Sequence, residues 1–316
     1  MSAGQRLSST PVPMHTWNGY GGLSIAGDSW GNSHAPLVVL LHGGGQTRHA
    51  WRGTGERLAE VGYFSVAFDA RGHGDSDWDE NGYYTQEAMV ADLVAVLEAL
   101  DKPRPVLVGA SMGGGTALVA VGDDHVDAAS LVLVDIAPHI EIDGVAKIRE
   151  FMFQRPEGFD SLEEVAEAIA NYQPHRTRER RLDGLAKNVR LGDDGRYHWH
   201  WDPKTRAQEP DFERREAQLA QCARKLSLPT LLVRGGLSDL LSEEGAQSFL
   251  ALCPRSEYVN VTGAAHMVAG DRNDIFSNAV IEFLSRNVPL DFDDPTSPHR
   301  IKPFQVGAAG DLTDIP

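Results

Sequence analysis

The chain has 316 residues, 41% of them hydrophobic and 8% aromatic, which is enough apolar material for a substantial core and too much for a disordered segment. At this length one large domain, or a domain carrying a sizeable insertion, is expected, and a lone small module is excluded. Lys and Arg number 29 against 45 Asp and Glu, a formal charge of −16 that repels phosphate backbones and anionic bilayers, so neither nucleic acid nor membrane is an expected partner.

Two cysteines, Cys222 and Cys253, give neither a disulfide framework nor metal-ligand spacing. The first 17 residues lack the apolar stretch of a signal peptide, and no run reaches the roughly 20 apolar residues that span a bilayer. A soluble, cytoplasmic protein with reduced thiols is the expectation.

In chain order, residues upstream of 37, with glycines around 17–24, suit an antiparallel hairpin. Apolar runs at 37–41 (LVVLL), 64–68 (FSVAF), 105–108 (PVLV) and 131–134 (LVLV) then alternate with segments of helical period. Such near-continuous apolar runs predict strands buried on both faces of a parallel sheet. Between them, 85–100 places Met89, Leu93, Val96, Leu97 and Leu100 on one helical face. From 138 to 226 the strand runs vanish, Arg and Glu become dense, and aromatics gather in RYHWHWDP at 196–203, which predicts a mainly helical insertion. The alternation resumes with a strand at 230–233 (TLLV), a helix near 242–252, a strand at 257–261 (EYVNV) and a helix near 273–285. The expected organisation is a core of 1–137 and 227–287, a cap of 138–226, and a proline-bearing C-terminal extension of 288–316.

Chemistry concentrates in a few loops. GASMG at 109–113 follows a predicted strand and opens an Ala/Val-rich helix. A serine there must sit on a strained turn at the sheet's C-terminal edge, with Gly109 and Gly113 keeping Cβ atoms out of a crowded approach. HGGG at 42–45 runs directly out of a strand, and a loop so poor in side chains can turn a backbone N–H toward a developing anion. A serine hydroxyl also needs a base, and the base needs an acid to fix its tautomer.

HGGGQ at 42–46, FDARGHGDSD at 68–77, GASMGGG at 109–115, RGGLSD at 234–239 and GAAHM at 263–267 together resemble the α/β-hydrolase superfamily, over about 25–287 without the insertion. The resemblance implies an α/β fold with a mostly parallel, doubly wound sheet and a mainly helical cap. It implies Ser111 as nucleophile, Asp239 as acid, His266 as base, and the backbone amides of Gly44 and Met112 as oxyanion hole, with no cofactor. Asp135, ending the run LVLV, is the competing acid. Asp69, Arg71, His73 and Asp75 are expected to shape their loop, and His42 to support the glycines behind it. His198 and His200 alternate with Trp199 and Trp201 but lack a third ligand on their face, so no metal is expected. Trp199 and Trp201 are instead candidates for the substrate pocket.

The implied activity is hydrolysis of a carboxylic ester, lactone or thioester on a small molecule. Relatives that attack through an elbow aspartate, the epoxide hydrolases and haloalkane dehalogenases, do not fit a serine at 111. The alternatives are a cofactor-free haloperoxidase or perhydrolase activity at the same residues, or a non-catalytic binding module of the same fold.

Overall fold

The computed structural model describes residues 4–8, 10–173, 182–207, 211–271 and 273–290. An antiparallel hairpin, β1 (His15–Asn18) and β2 (Ser24–Trp30), precedes β3 (Leu37–Leu41), α1 (Arg52–Glu60), β4 (Phe64–Phe68), α2 (Gln86–Leu100), β5 (Val106–Ala110), α3 (Met112–Gly122) and β6 (Ser130–Val134). The chain then runs through α4 (Ile142–Phe153), α5 (Leu162–Tyr172) and a short hairpin of β7 (Val189–Leu191) and β8 (Tyr197–Trp199). It closes with α6 (Phe212–Lys225), β9 (Thr230–Gly235), α7 (Glu243–Leu252), β10 (Glu257–Val261), α8 (Val268–Asp271) and α9 (Asn273–Asn287).

Eight strands form one sheet in the order β1-β2-β4-β3-β5-β6-β9-β10. The pairings β1–β2 and β2–β4 are antiparallel and the remaining five are parallel. Every residue of β3, β4 and β6 is buried, so helices must cover both faces. The pleat sorts side chains by parity. Val39 and Leu41 join Val90, Leu93, Val96, Leu118 and Leu133 in one core, while Val38 and Leu40 join Leu58, Val108, Phe276, Val280 and Phe283 in the other. The sheet therefore works as a two-sided partition, with all the βα loops of its parallel strands opening at one edge. Among the described residues, no helix is long and apolar enough to cross a membrane.

One expectation needs correction. The cap does not extend to 226: α6 buries Leu219, Cys222 and Ala223 in the same core as Leu118 and Ala120 of α3. Gly122 permits the approach, since a Cβ there would lie 2.6 Å from the Cys222 Cα. Helix α6 is thus a sheet-covering helix, and the covering excursion ends before it. That excursion is mainly helical, and within it β7 and β8 pair Val189 with Trp199 and contribute both to a small separate core with Phe159, Val165 and Trp201. The alternation HWHW hid this strand among charged neighbours. Of the expected C-terminal extension, 288–316, everything past residue 290 lies outside the described residues.

Beneath the βα loops lies an ionic knot. The fully buried Arg48 reaches Asp28 at 2.9 Å, Asp69 at 2.5 Å and Asp75 at 2.9 Å, and Arg190 of β7 also reaches Asp75 at 2.9 Å. Burial by itself lowers the Arg48 pKa, but Asp69, Asp28 and Asp75 raise it on balance, so it stays charged. Removing one side of such a cluster strands the other. Arg48→Met should destabilise the fold by about 3–5 kcal/mol in chemical denaturation, because three carboxylates lose their shared counter-charge; a loss within experimental error would show that the knot is energetically idle.

Candidate active site

Ser111 stands between β5 and α3 with φ 47° and ψ −111°, a backbone conformation that L-residues rarely adopt. The flanking glycines make this turn possible. A Cβ on Gly109 would lie 2.6 Å from the Gly114 Cα, and one on Gly113 would lie 2.5 Å from the Leu41 carbonyl oxygen. Ser111 donates its amide to the Val134 carbonyl at 3.1 Å, so its main chain is pinned to the end of the neighbouring strand.

His266 follows β10, and its Nδ1 lies 2.7 Å from Oδ2 of Asp135. A carboxylate can only accept, so Nδ1 carries the proton and Nε2 keeps its lone pair for a substrate-side proton. Asp135 is fully buried at the end of β6 with φ 51°, and it also accepts from the Gly235 amide at 2.9 Å and the Ser238 hydroxyl at 2.5 Å.

The expectation that Asp239 sits beside His266 is therefore corrected. Asp239 is 51% exposed and pairs at 2.9 Å with Lys147 of α4. The cause is register. Gly236 and Leu237 donate to the carbonyls of Val261 and Ala264, and this anchoring turns Ser238 inward, onto the carboxylate of Asp135. The sequence signal that points to Asp135 is a charged residue closing the apolar run LVLV, which buries it at the strand end. Ser238 carried no signal of its own.

In the glycine loop, the Gly43 amide is taken by Gln46 Oε1 at 3.0 Å and the Gly45 amide by His73 Nε2 at 3.2 Å. Among the described residues, the amides of Gly44 and Met112 have no hydrogen-bond acceptor, and Gly44, Met112, Ser111 and His266 all line one cavity of about 1100 Å³. The donors expected for an oxyanion hole are thus the ones left unspent. Trp199 and Trp201 line the same cavity, stacked at 4.9 Å between ring centroids, with Phe151 5.3 Å from Trp199. Met152 of α4 closes over the glycines, its Sδ lying 3.8 Å from where a Gly44 Cβ would be.

Three buried imidazoles support this loop from behind. His42 and His73 are 5.3 Å apart by ring centroid and His73 and His200 6.0 Å. Each accepts a backbone N–H: Ala70 to His42 Nε2 at 2.9 Å, Gly45 to His73 Nε2, and Gly74 to His200 Nδ1 at 2.9 Å. Burial holds the pKa values of His42 and His73 down at about 4, and pushes that of His200 well below the ordinary value. His198, by contrast, turns to Asp194 at 2.9 Å, so the two histidines of the HWHW run part company. Asp69, Arg71 and Asp75 also serve their loop, Arg71 by pairing with Asp92 at 2.6 Å.

The neutral stack has a pH consequence of definite sign. An unfolded histidine protonates near pH 6.5, whereas these three stay neutral in the fold, so the unfolded chain binds more protons below that pH. Their contribution is complete above about pH 6.5 and is lost as the pH falls toward about 4. Denaturation free energies measured from pH 7 to 4 should decline steadily, and His200→Gln, which removes one titrating ring, should flatten the decline; an unchanged slope would separate the stack from acid stability.

Known proteins resemble this chain in sequence and in fold. The family described as the alpha/beta hydrolase fold matches residues 36–272. Esterase Rv0045c of Mycobacterium tuberculosis is 33% identical over 229 residues, covering 70% of this chain and 72% of that protein. The sn-1-specific diacylglycerol lipase ABHD11 of Mus musculus is 28% identical over 267 residues, covering 81% of this chain and 83% of the lipase. Among solved structures, E-2-(acetamidomethylene)succinate hydrolase superposes with a TM-score of 0.75 at 22% identity, covering 86% of this chain and 98% of that one, a likeness of fold. With the serine elbow, the glycine loop and the parallel sheet in place, and most of its length matched, this chain belongs to the alpha/beta hydrolase family.

Proposed function

We propose that the chain hydrolyses carboxylic esters of small molecules through a covalent acyl-enzyme on Ser111, with His266 as base and Asp135 as its acid. The observation that carries this reading is the buried Asp135 carboxylate 2.7 Å from His266 Nδ1, over the cavity that the strained Ser111 also lines. An esterase and a lipase among its relatives support the ester as substrate class.

In this reading Ser111 Oγ attacks the carbonyl carbon while its proton passes to His266 Nε2. The charge gathering on the carbonyl oxygen meets the amides of Gly44 and Met112, donors already in position and without acceptors to give up. Collapse of the tetrahedral intermediate breaks the ester C–O bond, and the imidazolium returns its proton to the leaving alkoxide. Water then repeats the sequence on the acyl-enzyme, releasing the acid and restoring Ser111. Asp135, held in turn by Gly235 and Ser238, orients the ring and stabilises its charged form.

Ser111→Ala should lower kcat on an activated ester by about three orders of magnitude or more while leaving the fold intact. Asp135→Asn should cost a loss of similar order through the wrong imidazole tautomer, and Asp239→Asn should stay within a few-fold of the parent. Steady-state kinetics on equally stable variants checks this, and a reversed order of damage between the two aspartates would remove Asp135 from the site. The same reading makes the stacked indoles an acyl wall. Trp199→Ala and Trp201→Ala should each alter the ranking of short against long acyl esters in kcat/KM by about 1–3 kcal/mol; folded variants that keep the parental ranking would make the indoles purely structural.

A further inference from the structure

The inward stripe of α6 runs Phe212, Arg215, Leu219, Cys222 and Ala223, at the spacing that keeps residues on one helical face. Leu219, Cys222 and Ala223 are buried against α3, and the stripe is apolar at every place but one. The exception, Arg215, lines the Ser111 cavity together with Gln86 and Gln218. Its position along α3 is fixed by Gly115: a Cβ there would lie 3.1 Å from the Arg215 Nη2 and 3.3 Å from Gln86 Oε1. The Gly115 amide itself bonds the Ser111 carbonyl at 2.9 Å, so the guanidinium lies about one helical turn, roughly 5.4 Å, along α3 from the nucleophile.

Among the described residues, no carboxylate answers this charge. The inward-turned Arg48, Arg71 and Arg190 each hold at least one aspartate, whereas the Arg215 guanidinium has neither an ion pair nor a hydrogen bond among the described residues. Of the acidic residues on the cavity wall, Asp211 is occupied capping α6, accepting the Arg214 amide at 3.0 Å, and Glu87 is exposed at the first turn of α2. Burial lowers the Arg215 pKa, and no acid among the described residues offsets it. A desolvated guanidinium without a partner is costly, and its planar fork matches a carboxylate in two parallel hydrogen bonds.

We propose that Arg215 anchors a carboxylate of the substrate, so that the preferred esters are anionic ones, such as half-esters of dicarboxylic acids, whose free carboxylate lies a few bonds from the scissile carbonyl. The inference rests on the acyl-transfer reading of Ser111. Gln86, whose Nε2 is held by Thr116 Oγ1 at 2.8 Å, flanks the anchor.

The test compares mono-p-nitrophenyl esters of succinate, glutarate and adipate, and 4-carboxyphenyl acetate, with their uncharged methyl-ester counterparts. The parent should favour the best anionic ester over its neutral counterpart by about 10- to 100-fold in kcat/KM, the scale of one charge-assisted hydrogen-bonded pair. Free glutarate should compete with a neutral ester in the unaltered protein. Arg215→Gln should bring the anionic-to-neutral ratio near one, Arg215→Lys should restore part of it, and Arg224→Gln, an exposed arginine of the same helix, should leave the ratio as in the parent. A parental ratio near one, or a ratio untouched in a folded Arg215→Gln protein, overturns the anchor while ester turnover itself upholds the acyl-transfer reading. If instead no ester is turned over, yet Ser111→Ala binds mono-p-nitrophenyl glutarate in calorimetry and Ser111→Ala/Arg215→Gln does not, the anchor stands and the acyl-transfer reading falls.

Discussion

Much of the site depends on lodging one carboxylate, that of Asp135, at a fully buried strand end. Asp135 ends a strand buried on both faces, where a lone charge would be neutralised or expelled. It is retained because two segments bring three donors to it: Gly235 at the end of β9 with Ser238 just beyond, and His266 after β10. The bonds run both ways. The donors take their positions from the carboxylate, and the carboxylate tolerates burial only because all three arrive. The left-handed backbone at Asp135 and the strained turn at Ser111 are neighbouring expenses of this arrangement, and both are held by main-chain hydrogen bonds to the adjoining strands, Asp135 to Val233 and Ser111 to Val134.

A second polar layer, under the glycine loop, joins the sheet domain to the cap. Arg190 donates to the Gly74 carbonyl at 2.7 Å and to Asp75, His200 accepts from the Gly74 amide, and Asp202 receives the Tyr84 hydroxyl at 2.5 Å. The hairpin side of the cap is thereby fastened to the segment 72–84 by buried hydrogen bonds, whereas Arg149 and Lys147 of α4 reach their partners at the surface. Among the described residues of the cap, the hairpin half shares charge with the knot around Arg48 through Arg190.

The parts of this architecture that follow from local pattern were legible in the sequence. Apolar runs placed the inner strands to within two residues, because burial on both faces leaves few polar residues, such as Ser65 and Arg234, to blur them. The turn at Ser111 was legible because its glycines are demanded by backbone clashes. The acid was not, since a motif specifies which residue types stand in a loop and not which of two adjacent side chains turns inward; Ser238 and Asp239 are separated by that single step. The end of the cap was misplaced for a related reason. Helix α6 is as rich in Arg and Glu as the segment before it, and only packing on Gly122 shows that its apolar stripe belongs to the sheet.

The strands flanking the cap, β6 and β9, are hydrogen-bonded neighbours in parallel register. The chain leaves the sheet at the end of one and, after α6, re-enters at the start of the other, so the whole covering structure is a detour within what would otherwise be an ordinary strand-helix-strand crossover with α6 as its helix. Nothing in the register of the sheet requires the detour. Lineages that shorten, lengthen or exchange residues between β6 and α6 would keep the crossover, the nucleophile and its base intact while presenting a different vestibule, and Arg215 on α6 would stay with the scaffold through such exchanges.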